Sequence, residues 1–135
     1  LKNKGSFKDG EQDGPSEQYY ENGQLEFKKS YKDGKIEDGP FENYHKNGQL
    51  SIKGSVKDGE QDGLAEGYDE NGQIKSKGSF KDGKKDGLFE SYHENGQLAL
   101  KRSYKNGKQD GVYEYYDESG QLTTKKFYKD GELVR

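Results

Sequence analysis

Hydrophobic positions recur in short alternating runs. Leu25, Leu50, Ile74, Leu98 and Leu122 open one set, and Phe7, Tyr31, Val56, Phe80, Tyr104 and Tyr128 mark the other. Between the runs stand turn dipeptides: Asn22-Gly23, Asn47-Gly48, Asn71-Gly72, Asn95-Gly96 and the variant Ser119-Gly120, spaced 25, 24, 24 and 24 residues apart. Period-two alternation bounded by Gly-containing turns predicts strands, and no helical period competes with it. A fixed period of this length predicts an array in which each unit packs on its neighbours. The expected fold is all-β: an elongated, single-layer antiparallel meander of hairpin repeats, twisted and curled. Residues 1–14 form a partial first unit, and residues 15–39, 40–63, 64–87, 88–111 and 112–135 form one hairpin each.

Asn-Gly is the strongest short hairpin signal, because both central residues of a type I′ turn need positive φ. A two-residue loop there sets Glu17 opposite Lys28, Glu42 opposite Lys53, Glu66 opposite Lys77, Glu90 opposite Lys101 and Glu114 opposite Lys125. Five opposite-charge pairs support one register, since such pairs stabilise a hairpin. That register divides the side chains by face. One face carries the Glu and Lys ladders with Tyr19, Tyr44, Tyr68, Tyr92 and Tyr116, and Gln24 and its equivalents. The other carries the Leu row and the row from Phe7 to Tyr128. Gly54 and Gly78 leave room for neighbouring rings, and Lys29, Arg102 and Lys126 cover rings with their stems where that Gly is replaced. Asp-Gly turns such as Asp82-Gly83 join successive hairpins. An extra residue near Lys35 to Gly39 predicts a bulge.

Composition narrows what such an array does. Only 25% of residues are hydrophobic and 36% are charged, yet net charge is -3 and the 11 Tyr and 6 Phe recur at fixed places, which argues for order over disorder. A near-neutral balance of 23 basic and 26 acidic residues speaks against nucleic acid as a partner. No apolar run approaches the ~20 residues of a membrane-spanning helix. The absence of Cys removes disulfides and thiolate chemistry and is compatible with either redox compartment. Leu1 aligns with the mid-repeat Leu row, so a segment upstream is expected; its nature decides between a secreted or cell-surface and a cytoplasmic location.

Catalytic and metal readings fail on chemistry. His45 and His93 lie two units apart, roughly 19 Å along a sheet, too far to share a metal whose bonds are ~2 Å long. The Asp-Gly-x-x-Asp-Gly segments lack the converging oxygens of a calcium loop. Glu residues on an open sheet, each facing a Lys, lack the enclosed site that glycoside hydrolysis needs. No catalytic residue, metal ligand or cofactor is assigned.

The run Asp86-Gly87-Leu88-Phe89-Glu90-Ser91-Tyr92-His93-Glu94-Asn95-Gly96-Gln97-Leu98, repeated along the chain, resembles the MORN-repeat superfamily, and most closely the variant bacterial MORN repeat. The resemblance implies elongated hairpin sheets serving as scaffolds, with protein partners and sometimes phospholipid head groups, and many variant-type members of antitoxin or immunity character. Where the family often has Trp, this chain has Ser16, Phe41, Ala65, Phe89 and Tyr113.

Two sets of residues are candidates for binding. Variable positions suit a specific protein partner, since an array does not need them to be alike: Tyr20, His45 and His93, with Asp69 and Asp117, near the hairpin tips, and Phe41, Phe89, Tyr113 and Tyr115 on the apolar face. The constant ladder Tyr19, Tyr44, Tyr68, Tyr92 and Tyr116 suits cross-strand packing, or else a track for a glycan, cell wall or lipid head group. The first set makes the chain a protein-binding scaffold, and the second makes it a secreted or surface adhesin.

Overall fold

In a computed structural model, the structure describes residues 2–134; Leu1 lies outside the described residues, as do the side chains of Lys2 and Asn3. The strands are Lys2–Lys8 (β1), Glu11–Tyr19 (β2), Leu25–Lys32 (β3), Lys35–Ile36 (β4), Gly39–Tyr44 (β5), Leu50–Lys57 (β6), Glu60–Gln61 (β7), Gly63–Tyr68 (β8), Ile74–Lys81 (β9), Lys84–Tyr92 (β10), Leu98–Lys105 (β11), Lys108–Tyr116 (β12), Leu122–Lys129 (β13) and Glu132–Val134 (β14). All belong to one antiparallel sheet whose order follows the chain, with β4 and β7 as short spurs on β3 and β6. The expected single-layer meander is therefore the fold. Hairpins 1 to 5 are β2/β3, β5/β6, β8/β9, β10/β11 and β12/β13.

The Asp-Gly turns join successive hairpins as expected, whereas the Asn-Gly tips differ from expectation. Positive φ at both central residues, the mark of a type I′ turn, occurs at Asp9-Gly10, Asp33-Gly34, Asp58-Gly59, Asp82-Gly83, Asn106-Gly107 and Asp130-Gly131. At Asn22-Gly23 and its equivalents only the Gly is positive, φ 89 at Gly23 and 85 at Gly72. There the Gly23 N–H donates to the Tyr20 carbonyl at 3.0 Å and the Tyr20 N–H to the Gln24 carbonyl at 2.8 Å, closing a three-residue loop that ends in a Gly bulge. The Asn side chain explains the preference. Asn22 Oδ1 accepts from the Gln24 N–H at 3.0 Å, and its Nδ2 donates to the Lys46 carbonyl of the next tip at 2.9 Å.

A three-residue loop shifts pairing by one residue, so Tyr19 lies opposite Leu25; the register then shifts again between Gln18 and Tyr19, leaving Gln18 opposite Phe27 and Glu17 opposite Lys28. Both shifts recur in all five hairpins. They cancel, and every predicted Glu–Lys pair stands directly opposed, with Glu114–Lys125 alone of the five closing to an ion pair among the described residues, at 3.6 Å. The correction falls on the Leu row. Directly opposed residues share a face, so Leu25, Leu50, Ile74, Leu98 and Leu122 stand beside the Tyr ladder and not with the rings. Gln24 faces position 20 instead of Tyr19. The bulged Glu26 turns to the other side, where its Oε1 accepts from Gln18 Nε2 at 3.2 Å.

Between neighbouring hairpins the Lys also faces Glu: Lys4 with Glu17, Lys28 with Glu42, Lys53 with Glu66, Lys77 with Glu90 and Lys101 with Glu114. An alternating row from Lys4 to Lys125 thus crosses the whole sheet. On the connecting side, the second Gly of each Asp-Gly-x-x-Asp-Gly segment, such as Gly87 at φ 100, sits in a further bulge. The extra residue after Lys35 is taken up between β4 and β5, where pairing with β3 slips by three residues from Ile36 to Glu42, against two from Gln61 to Glu66 on β6. β1 forms one edge of the sheet, with Lys4 and Lys8 exposed as expected for an edge that resists pairing.

Among the described residues only Gly78 and Ala99 are buried. Such a sheet has no core of the usual kind, and its apolar side chains lie half-covered along its two surfaces. Stability comes from nearest-neighbour contacts repeated along the array.

Candidate functional site

Side-chain hydrogen bonds tie the first tip to the second, the second to the third and the fourth to the fifth. Tyr20 Oη donates to the Tyr44 carbonyl at 2.7 Å, His45 Nε2 to the Tyr68 carbonyl at 2.8 Å, and His93 Nε2 to the Tyr116 carbonyl at 2.8 Å. A carbonyl only accepts, so both imidazoles carry Nε2–H. Asn47 and Asn95 add to these ties by donating to the Glu70 and Glu118 carbonyls. Asp69 and Asp117 occupy the equivalent of His45 and cap their own turns, Asp69 Oδ1 accepting from the Asn71 and Gln73 N–H groups and Asp117 Oδ1 from those of Ser119 and Gln121. Bonds from Ser119 and the Gln121 backbone hold the Asp117 carboxyl below its ordinary value. Tyr20, His45 and His93 are thereby placed as ties between hairpins, and His93 also meets the Tyr115 ring edge-on at 6.0 Å. Among the described residues no cluster of His and carboxylates has metal-binding geometry.

On the charge-ladder face the Tyr hydroxyls are tied locally. Tyr19, Tyr44 and Tyr116 donate to Glu17, Glu42 and Glu114 at 2.8, 2.7 and 3.0 Å, which raises each phenol above its ordinary value. In hairpins 3 and 4 the Glu turns instead to the preceding Lys: Glu66 to Lys53 at 3.7 Å and Glu90 to Lys77 at 3.8 Å. Tyr92, followed by Glu90, raises the Lys77 ammonium. Tyr68 packs opposite Ile74, and Glu114 serves Lys125 as well as Tyr116.

The opposite face carries the rings. Phe89 lies over Gly78, closer than any side chain there would permit, and Phe41 over Gly54, where an added Cβ would meet its ring at 3.0 Å. Phe89 meets Phe80 at 5.4 Å and Tyr104 at 5.3 Å, both near-perpendicular, and Tyr113 meets Tyr128 at 6.1 Å with the rings inclined at 61°. Cations complete the surface. Lys85 Nζ lies 5.2 Å from the Phe89 centroid and 4.9 Å from that of Tyr104, the Arg102 guanidinium 5.6 Å from Tyr104, and Lys126 Nζ 5.8 Å from Tyr113. Tyr115 remains 40% exposed.

Four of the predicted protein-binding residues therefore lie on the ring face, with Phe89, Tyr113 and Tyr115 gathered on hairpins 4 and 5 and Phe41 apart on hairpin 2; the other three lie at the tips. Sequence reading missed Lys85. Its signal was available: Gln12, Gln61 and Gln109 stand at the equivalent position opposite Phe7, Val56 and Tyr104, and a cation replaces them only opposite Phe80.

Comparison with known families gives one finding. A family model described as the MORN repeat variant matches residues 12–33, 37–58, 61–82, 85–106 and 109–133, one match for each hairpin. No curated protein matches the chain.

Proposed function

Because the chain belongs to the MORN repeat variant family, a family of repeat scaffolds that in general bind protein or membrane without catalysis, we propose that it binds a protein through the ring face of hairpins 4 and 5. The observation that carries this reading is the crowding of Phe89, Tyr104, Tyr113, the exposed Tyr115 and three cations on that face, with Phe80 of hairpin 3 beside them. Aromatic side chains and Arg are the residues on which binding energy concentrates. The partnership is of antitoxin or immunity kind, in which a stoichiometric complex holds a second protein inactive. Affinity capture from the host, followed by gel filtration of the purified pair, tests it. The complex is expected to survive gel filtration, and the Tyr113→Ser/Tyr115→Ser double variant is expected to lose it; a complex indifferent to that change contradicts the reading.

The adhesin alternative rests on the Tyr ladder, whose hydroxyls at Tyr19, Tyr44 and Tyr116 are occupied by Glu. Joint replacement of Tyr68 and Tyr92 by Ser separates the two ideas: unchanged glycan or cell-wall binding removes the ladder as a ligand track.

A further inference from the structure

Resting on that protein-binding reading, we infer that the partner presents an acidic segment to the ring face of hairpins 4 and 5, and that one of its carboxylates seats between Lys85 and Arg102. Both cations lie over the Tyr104 ring, at 4.9 and 5.6 Å, and both line the same depression. Among the described residues no carboxylate lies within 4.0 Å of Lys85, Arg102 or Lys126; the ion pairs found there are Lys53–Glu66, Lys77–Glu90 and Lys125–Glu114. The ladder Glu residues of this region are occupied elsewhere: Glu90 reaches Lys77 at 3.8 Å, and Glu114 reaches Lys125 at 3.6 Å and Tyr116 at 3.0 Å. Three cations of a chain of net charge -3 thus lie over the rings of this one surface.

Both cations line a depression of about 250 Å³ together with Ser76, Phe89, Ser91, Leu100 and Glu90, whose carboxylate is held by Lys77 at 3.8 Å. It is smaller than the ~300–1,000 Å³ of small-molecule sites and suits one or two side chains. Its hydroxyls offer further donors to a carboxylate, while Leu100 and the Phe89 ring receive the apolar part of the same segment. A planar guanidinium beside an ammonium favours a carboxylate in a bidentate or bridging pose. Steering by this charge falls off with salt.

The test uses a fluorescein-labelled decapeptide of alternating Glu and Tyr, the same peptide with Gln for Glu, and a thymidine decamer, each titrated into the whole chain by fluorescence anisotropy. The acidic peptide is expected to bind about tenfold more tightly than the Gln peptide at low salt, and to lose that margin in the Lys85→Gln/Arg102→Gln variant but not in Lys53→Gln on the opposite face. Circular dichroism of both variants checks that the sheet is kept. Equal binding of the two peptides, undiminished binding by the double Gln variant, or tighter binding of the thymidine decamer each overturns the acidic-segment inference. If the acidic peptide fails while the captured partner still depends on Tyr113 and Tyr115, this inference falls alone; if the partner is indifferent to the ring face, the broader reading falls with it.

Discussion

On the charge-ladder face each Glu stands between Lys neighbours across the strands, and the Tyr hydroxyls at 19, 44 and 116 donate to the same carboxylates. On the ring face of hairpins 4 and 5, Lys85, Arg102 and Lys126 lie over aromatic rings without a carboxylate within 4.0 Å among the described residues. The first surface sets opposite charges beside one another from one hairpin to the next, which is what propagation of an array requires. The second leaves charge and aromatic area for something outside the array. Recurrence therefore identifies the surface that builds the sheet, and departure from it identifies the surface open to a partner.

The largest expected effect lies on the ring face. Gly78→Ala puts a methyl group into the Phe89 ring and is expected to cost about 2 kcal/mol in thermal or chemical unfolding, as an overpacked site does. Gly54→Ala meets Phe41 at 3.0 Å, needs a shift of only tenths of an ångström, and is expected to cost less than half as much. Equal costs at the two sites would remove the distinction between a ring held against the backbone and one with room to move.

The charge-ladder face is expected to respond weakly to single changes. Lys53→Ala removes the ion pair to Glu66, but with Lys53 48% exposed the loss is expected to stay under about 1 kcal/mol in denaturant unfolding. A larger loss would mean that the ladder acts as a connected network.

A smaller effect is spectroscopic. Tyr19, Tyr44 and Tyr116 donate to carboxylates, so their phenols ionise above the ordinary value of 10.0. A folded-state pKa raised above the unfolded one adds stability below the ordinary phenol value and loses it as pH rises through the raised value. Tyrosinate absorbance in an alkaline titration is expected to lag at these residues, and Glu114→Ala, which removes the acceptor, is expected to shorten the lag at Tyr116. An unchanged lag would place its cause outside that hydrogen bond.

Much of this division was legible in the sequence, though one part was concealed. The five Glu–Lys pairs could be found because they are indifferent to two errors that cancel: a three-residue loop advances the register by one, and a bulge at Glu26 and its equivalents sets it back. The Leu row lies between the two shifts and changes face. Turn chemistry alone did not reveal this, because Asn22 also clips its tip to the next through the Lys46 carbonyl, a contact that exists only once hairpins stack. The ring over Gly78 was foreseeable from a Gly at an aromatic-rich level of the repeat. The roles of His45 and His93 were not, since their acceptors are backbone carbonyls that carry no sequence signature.

The most direct test of the central claim is carbene footprinting of the purified complex, read residue by residue against the free chain. Binding through the ring face predicts protection of Phe89, Arg102, Tyr113 and Tyr115 with Tyr68 and Leu122 labelled as before. Protection of Tyr68 and Leu122 with the ring-face residues unchanged would contradict it.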